Sequence, residues 1–219
     1  TDPSNAGAID VEQVKKMVDL FIEKGFTYFD TAWMNCGFQS EPTVKEVLTS
    51  RYSRDKFTLA SKLHNGFFNS LEDRDTVFNQ QLRKTGVEYF DYYMLHGIES
   101  GSLPKYEQFD CFSWLKDKKE KGLVKTAGIS FHATAELLDE ILTKYPFLEF
   151  VQLQINYLDW DSQWIQSKAC YDVAVKHGKW VTVMEPVKGG TLAKVPAEVE
   201  ELFKAHDPSL SPASWAIRF

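Results

Sequence analysis

Cysteine is scarce in this chain and badly placed for chemistry. Its three cysteines, Cys36, Cys111 and Cys170, are odd in number, far apart and form no CxxC pair, which gives no support to a disulfide framework, a zinc site or an iron–sulfur cluster. No metal is expected, and a reducing cytoplasm suits the thiols. Long apolar runs are missing too: none approaches the ~20 residues needed to cross a bilayer, and the opening Thr1-Asp2-Pro3-Ser4-Asn5 lacks the form of a signal peptide. Positive charge is in deficit, with 25 Lys+Arg against 31 Asp+Glu and a formal charge of -6, so neither a nucleic acid nor a membrane surface is the expected partner. No strand-like segment leads into a GxGxxG or GxxxxGK turn, which argues against the open sheets that bind nucleotides on such loops.

What is present is a dense alternation of helical and strand periods. Of the 219 residues, 43% are hydrophobic and 14% aromatic, enough to bury a substantial core, and 1–219 reads as one globular domain. Asp10 is expected to cap a helix over 11–24, with Val11, Val14, Val18 and Phe21 on one face and Gly25 as its stop. Further helices are predicted over 41–51, 70–84, 107–120, 135–144, 163–177 and 197–205, with another beginning at 212. Strands are predicted over 28–32, 57–63, 89–96, 125–131, 150–157 and 180–186. Alternation at about thirty residues per unit implies a parallel sheet, and the missing glycine-rich turns favour a barrel over an open sheet. A (β/α)8 TIM-type barrel has eight strands. Only six are visible, no strand precedes the first helix, and the chain lacks an initiator Met, so the expectation is an internal piece of a barrel without its first and last strands.

Polar residues recur at the strand ends: Asp30, Lys62, His96, Ser130 and Gln154. In a parallel barrel those ends share one face, where active sites are built. Singly, Asp30 would serve as a turn or cap residue, Lys62 as a solvated lysine and His96 as a hydrogen-bonded core histidine; their joint spacing favours a site. His132 is expected near the barrel mouth but outside the reaction, and His64 in a loop. Cys36 reads as a buried or inert thiol. Trp33, Phe38, Phe67 and Phe68 either line a pocket or form core beneath a loop, and the alternating charges of 116–121 read as a solvated helix face.

Six motifs then stand in order and register: Tyr28-Phe29-Asp30-Thr31-Ala32, Ser61-Lys62-Leu63, Met94-Leu95-His96-Gly97, Gly128-Ile129-Ser130, Gln154-Ile155-Asn156-Tyr157 and Glu185-Pro186-Val187-Lys188-Gly189-Gly190. Together they resemble the aldo/keto reductase family over nearly the whole chain. Ser130-Phe131-His132 and Met184-Glu185-Pro186 look most like a bacterial or archaeal branch whose members often carry a C-terminal ferredoxin-type segment; its cysteines are absent here. The resemblance implies hydride transfer between NADP(H) or NAD(H) and a small carbonyl or alcohol substrate. A carbonyl receiving hydride gains negative charge on oxygen and requires a proton donor and hydrogen-bonding groups aimed at that atom. Lys62 matches the lysine that acidifies the donor, Asp30 the carboxylate paired with it, and His96 the residue that orients the carbonyl. The family's tyrosine donor stands five residues after the aspartate, where this chain has Asn35. Asparagine hydrogen-bonds but has no acidic proton near neutral pH.

The resemblance also implies cofactor contacts. Ser130 and Gln154 match the groups that bind the nicotinamide carboxamide, while Phe131 stands where many relatives have Asn. Met184 falls at the shelf beneath the ring, and Pro186, Val187, Lys188 and Gly189 at the approach to the pyrophosphate. Two functions follow: a reductase, or an impaired relative that binds a nicotinamide cofactor, metabolite or partner without turnover, as Asn35 suggests. The unpaired edges of an incomplete barrel also predict self-association.

Overall fold

The structure, a computed structural model, describes residues 8–219; Thr1-Asp2-Pro3-Ser4-Asn5 lies outside them. Packing divides the chain into two compact units, the first ending at Ile129 and the second running from Ser130 to Phe219. No described helix is long and apolar enough to cross a membrane.

The first unit opens with α1 (Val11–Glu23), whose Asp10 side chain accepts from the Gln13 N–H at 3.0 Å as a cap should. Strand β1 (Tyr28–Asp30) pairs in parallel with β2 (Thr58–His64), and β2 in parallel with β3 (Phe90–Ile98). Between β1 and β2 lie a distorted turn, α2 (Asn35–Phe38), and α3 (Ser40–Val44), which continues as a π-helical turn, Lys45–Thr49. The helix predicted over 41–51 is therefore not uniform. Helix α4 (Leu71–Thr85) starts at the Ser70 cap and stops where Gly86 turns left-handed at φ 72°. Its Phe78 is fully buried, edge-on to Phe90 and Tyr93 and to Trp114 of a later helix. The helix predicted over 107–120 is two, α5 (Leu103–Gln108) and α6 (Cys111–Glu120), broken at Asp110, whose φ is 48°. Strand β4 (Val124–Phe131) then carries the chain across the division.

The second unit holds α7 (Ala135–Lys144), β5 (Phe150–Gln154), α8 (Ser167–Lys176) and β6 (Trp180–Met184), with β5 and β6 parallel. Helix α8 begins later than the predicted 163 because Gln166 adopts φ 55° and turns its side chain to the N–H of Ala135, 3.0 Å away. The chain closes with α9 (Ala197–His206) and α10 (Pro212–Arg218).

Candidate active site

In the first unit the parallel register brings Asp30 opposite Ala60, and Lys62 lies just beyond on β2. The Lys62 ammonium ion-pairs with Asp30 Oδ1 and donates to the Thr31 carbonyl at 3.0 Å. Only 3% of Lys62 is exposed, so this cation is buried but paired and hydrogen-bonded, the condition for a charge away from water. The second Asp30 oxygen accepts from the Tyr28 hydroxyl at 3.0 Å. Period-2 alternation places Tyr28 and Asp30 on one face of β1.

His96 lies opposite His64 in the register of β2 and β3, and the two rings meet edge-to-face with centroids 5.2 Å apart. His64 is thus the last residue of a strand and not a loop residue. Burial, with the nearby Lys105 charge, lowers its pKa, and Nδ1 accepts from the Gly66 N–H at 2.9 Å. The Tyr106 hydroxyl, 2.6 Å from the His96 carbonyl, also accepts from the Asn65 N–H at 2.8 Å and so fastens the two strand ends together.

Asn35 is exposed at the start of α2, its N–H bonded to the Ala32 carbonyl at 3.2 Å. The next three residues, Cys36, Gly37 and Phe38, are all left-handed, with φ of 52°, 61° and 69°. Cys36 is exposed, which removes the first half of its expected reading as a buried or inert thiol. The four aromatics divide: Phe67 gathers Trp33, Phe38 and His64 around it, while Phe68 is fully buried against Tyr106 and Phe109.

A buried polar belt backs Lys62. Glu41, 1% exposed, accepts from Ser61 Oγ at 2.8 Å and Gln81 Nε2 at 2.7 Å; Gln81 Nε2 lies 3.0 Å from the Lys62 carbonyl, and its Oε1 accepts from Tyr93. Burial raises the Glu41 pKa despite those hydrogen bonds and the Lys84 and Lys62 charges. A folded-state pKa above the unfolded value means that the stability Glu41 contributes is full below the ordinary glutamate range and is lost as pH rises through the raised value. Glu41→Gln retains an acceptor and removes the ionisation. Between about pH 5 and about pH 8 the urea midpoint is expected to fall more in the parent than in Glu41→Gln, and parallel curves would contradict this.

In the second unit, Gln154 ends β5 and Met184 ends β6, side by side in register. Ser130, 1% exposed, has its Oγ 3.4 Å from His132 Nε2, and His132 itself is exposed. After β6 the chain carries Pro186, Val187, Lys188 and Gly189 through a turn in which Glu185, Lys188, Gly189 and Gly190 all have positive φ. A Cβ on either glycine would meet nothing within 4 Å, so Gly190 is required by its φ of 94° and not by crowding.

The organising residue here is Asp159, which sequence reasoning missed. It is 6% exposed and receives Lys188 Nζ at 2.6 Å, Gln154 Nε2 at 2.8 Å and Asn156 Nδ2 at 2.9 Å. Asn156 in turn accepts from the Asp159 N–H at 2.9 Å. Burial pushes the Asp159 carboxyl up, but the bonds from Lys188, Asn156 and Gln154 outweigh it and hold the pKa below the usual range. The available signal was the Asn156-to-Asp159 spacing of an Asn-initiated turn. Lys188 therefore already has an anionic partner. Among the described residues no cluster suits a metal ion.

A family model described as "Aldo/keto reductase family" matches residues 2–217. The chain is 31% identical over 174 residues to a 4-dihydromethyl-trisporate dehydrogenase of Mucor mucedo, covering 68% of this chain and 52% of that protein. It is 26% identical over 153 residues to a 3-alpha-hydroxysteroid dehydrogenase of Rattus norvegicus, covering 61% and 46%. The chain thus spans about half the length of these curated relatives. Among solved structures, an aldo-keto reductase from Klebsiella pneumoniae in complex with NADPH is similar at a TM-score of 0.74, with 16% identity over 94% of this chain and 70% of that one. This likeness shows the fold, an α/β architecture of the incomplete (β/α)8 type.

Proposed function

Since the chain belongs to the aldo/keto reductase family, we propose that the protein transfers hydride between NAD(P)H and a small carbonyl or alcohol substrate, with 1–219 forming part of a single barrel domain. The observation that carries this reading is the ion pair of the buried Lys62 with the partly exposed Asp30, near the carboxyl ends of adjacent parallel strands. The first unit supplies the polar groups of the reaction: Lys62, held in place by Asp30, presents its ammonium group, and His96 presents an imidazole to the carbonyl oxygen. The second unit supplies a cofactor set whose chemistry fits a nicotinamide: a Ser130 hydroxyl, a Gln154 amide whose NH2 is taken by Asp159, Met184 as a soft surface for a ring, and a loop of Pro186, Val187, Lys188 and Gly189 for phosphate. When bound, the reduced nicotinamide supplies the hydride.

The exposed Asn35 favours a second reading, a barrel that binds the cofactor, a metabolite or a partner without turnover. One experiment separates the two. NADPH is titrated into the full-length protein by tryptophan fluorescence, and its oxidation with a reactive aldehyde is followed in the parent and in Lys62→Met. Binding with a rate lost in Lys62→Met is expected for the reductase. Binding without turnover supports the second reading in its cofactor-binding form, and no binding overturns the reductase and that form, leaving a barrel that binds a metabolite or a partner.

Strand β6 is the last in its sheet, paired with β5 on one side, and its Trp180 is 69% exposed, so the chain alone is expected to self-associate, and a monodisperse monomer in sedimentation would contradict this. Three cysteines without disulfides accord with a reducing cytoplasm.

A further inference from the structure

We propose that Asp159 is the positioning residue that fixes the orientation of the Gln154 amide, so that the second unit accepts a pyridine carboxamide and rejects the corresponding carboxylic acid. This inference rests on the cofactor reading above and adds to it the residue on which the ring's recognition depends.

A glutamine amide presents two different edges, an NH2 that donates and an oxygen that accepts, and a turn about its last bond exchanges them. An ionised carboxylate only accepts. Placed 2.8 Å from Asp159 Oδ2, the Gln154 side chain must therefore turn its Nε2 inward, which commits Oε1 to the opposite direction. Asp159 cannot easily yield. Its N–H is held by Asn156 Oδ1, the Asn156 amide shares Oδ2 with Gln154, and Lys188 Nζ lies against both oxygens. The other end of Gln154 is fixed as well, because its backbone carbonyl accepts from Ser167 Oγ at 2.7 Å. Asn156 is fully buried and its amide also reaches the Glu185 carbonyl at 3.3 Å, tying this arrangement to the chain leaving β6.

An outward-facing Oε1 accepts from a carboxamide NH2. A carboxylate in the same place has no proton to offer, and sets a lone pair against a lone pair. A site that presents an acceptor to a donor discriminates against an analogue lacking that donor, because the half-buried Gln154 oxygen loses its partner and faces a like charge instead. Lys188 has a separate part: its ammonium neutralises Asp159, while the amide orientation follows from the carboxylate alone.

The test compares the affinities of the full-length protein for NADP and for its nicotinic-acid analogue, read by calorimetry, in the parent, Asp159→Asn and Lys188→Met. The parent is expected to prefer the amide form by at least ~10-fold. Asp159→Asn offers Gln154 either a donor or an acceptor, so the amide can turn over and the preference should shrink to within about 3-fold, whatever happens to absolute affinity. Lys188→Met should weaken both forms and keep the amide form ahead by at least as much as in the parent, since the lost cation penalises the anionic analogue more, a result that general damage to the loop would not give. If Asp159→Asn does not fold, the parent's Gln154 side-chain NH2, assigned by its loss in Gln154→Met, is followed by NMR; slowed proton exchange is expected, and solvent-averaged exchange would overturn the inference. An amide preference unchanged in Asp159→Asn overturns this inference alone. Binding of neither dinucleotide overturns the cofactor reading and the inference with it.

Discussion

Replacing Asn35 with Tyr in the full-length protein is expected to raise NADPH-dependent reduction of a reactive aldehyde or quinone by at least ~10-fold, the low end of what a positioned general acid contributes. The site otherwise retains its polar apparatus. Lys62 is buried and paired with Asp30, so a fixed cation is available to acidify a phenol introduced nearby, and His96 stands at the end of the neighbouring strand. Asn35 begins a turn whose next three residues are left-handed, a backbone the structure already maintains without a tyrosine, so the change places a side chain on an exposed position and disturbs no core. Cofactor affinity should barely change, since Ser130, Gln154 and the Lys188 loop are untouched. An unchanged rate with cofactor bound would show that protons arrive by another route or that reduction is not this protein's task. Lys62→Met in the Asn35 background decides between these, because only an active reductase has a rate to lose.

The largest stability effect is expected at the same ion pair. Asp30→Ala leaves the Lys62 ammonium with only the Thr31 carbonyl in a place that is 3% exposed. Breaking a buried pair from one side is destabilising by ~3–5 kcal/mol, and the partial exposure of Asp30 argues for the lower end, ~3 kcal/mol, because water can reach part of the space vacated. Adding Lys62→Met to Asp30→Ala removes the stranded charge and should restore most of the loss, since an apolar side chain of similar length suits the same strand environment. Urea unfolding of the single and double variants measures both effects. A loss under about 1 kcal/mol in Asp30→Ala would place the pair among solvent-screened surface bridges and weaken its use as the anchor of the site.

Much of this molecule was determined by local sequence. The strands fell on the apolar runs that the sequence marks, although β1, β5 and β6 stop at Asp30, Gln154 and Met184, short of the expected 32, 157 and 186, and caps such as Asp10 and Ser70 act on N–H groups three residues away. The family motifs are local in the same sense, each sitting within a few residues of one strand. Tertiary structure decided the rest. Glu41 meets Ser61 and Gln81 from 20 and 40 residues away, Tyr106 reaches across from α5 to fasten two strand ends, and Asp159 gathers Lys188 from 29 residues further on. His64 became the neighbour of His96 only through the register of β2 against β3. The physical reason is burial: a carboxylate taken out of water must find donors wherever the fold supplies them, and no spacing rule along the chain specifies which distant residues those will be.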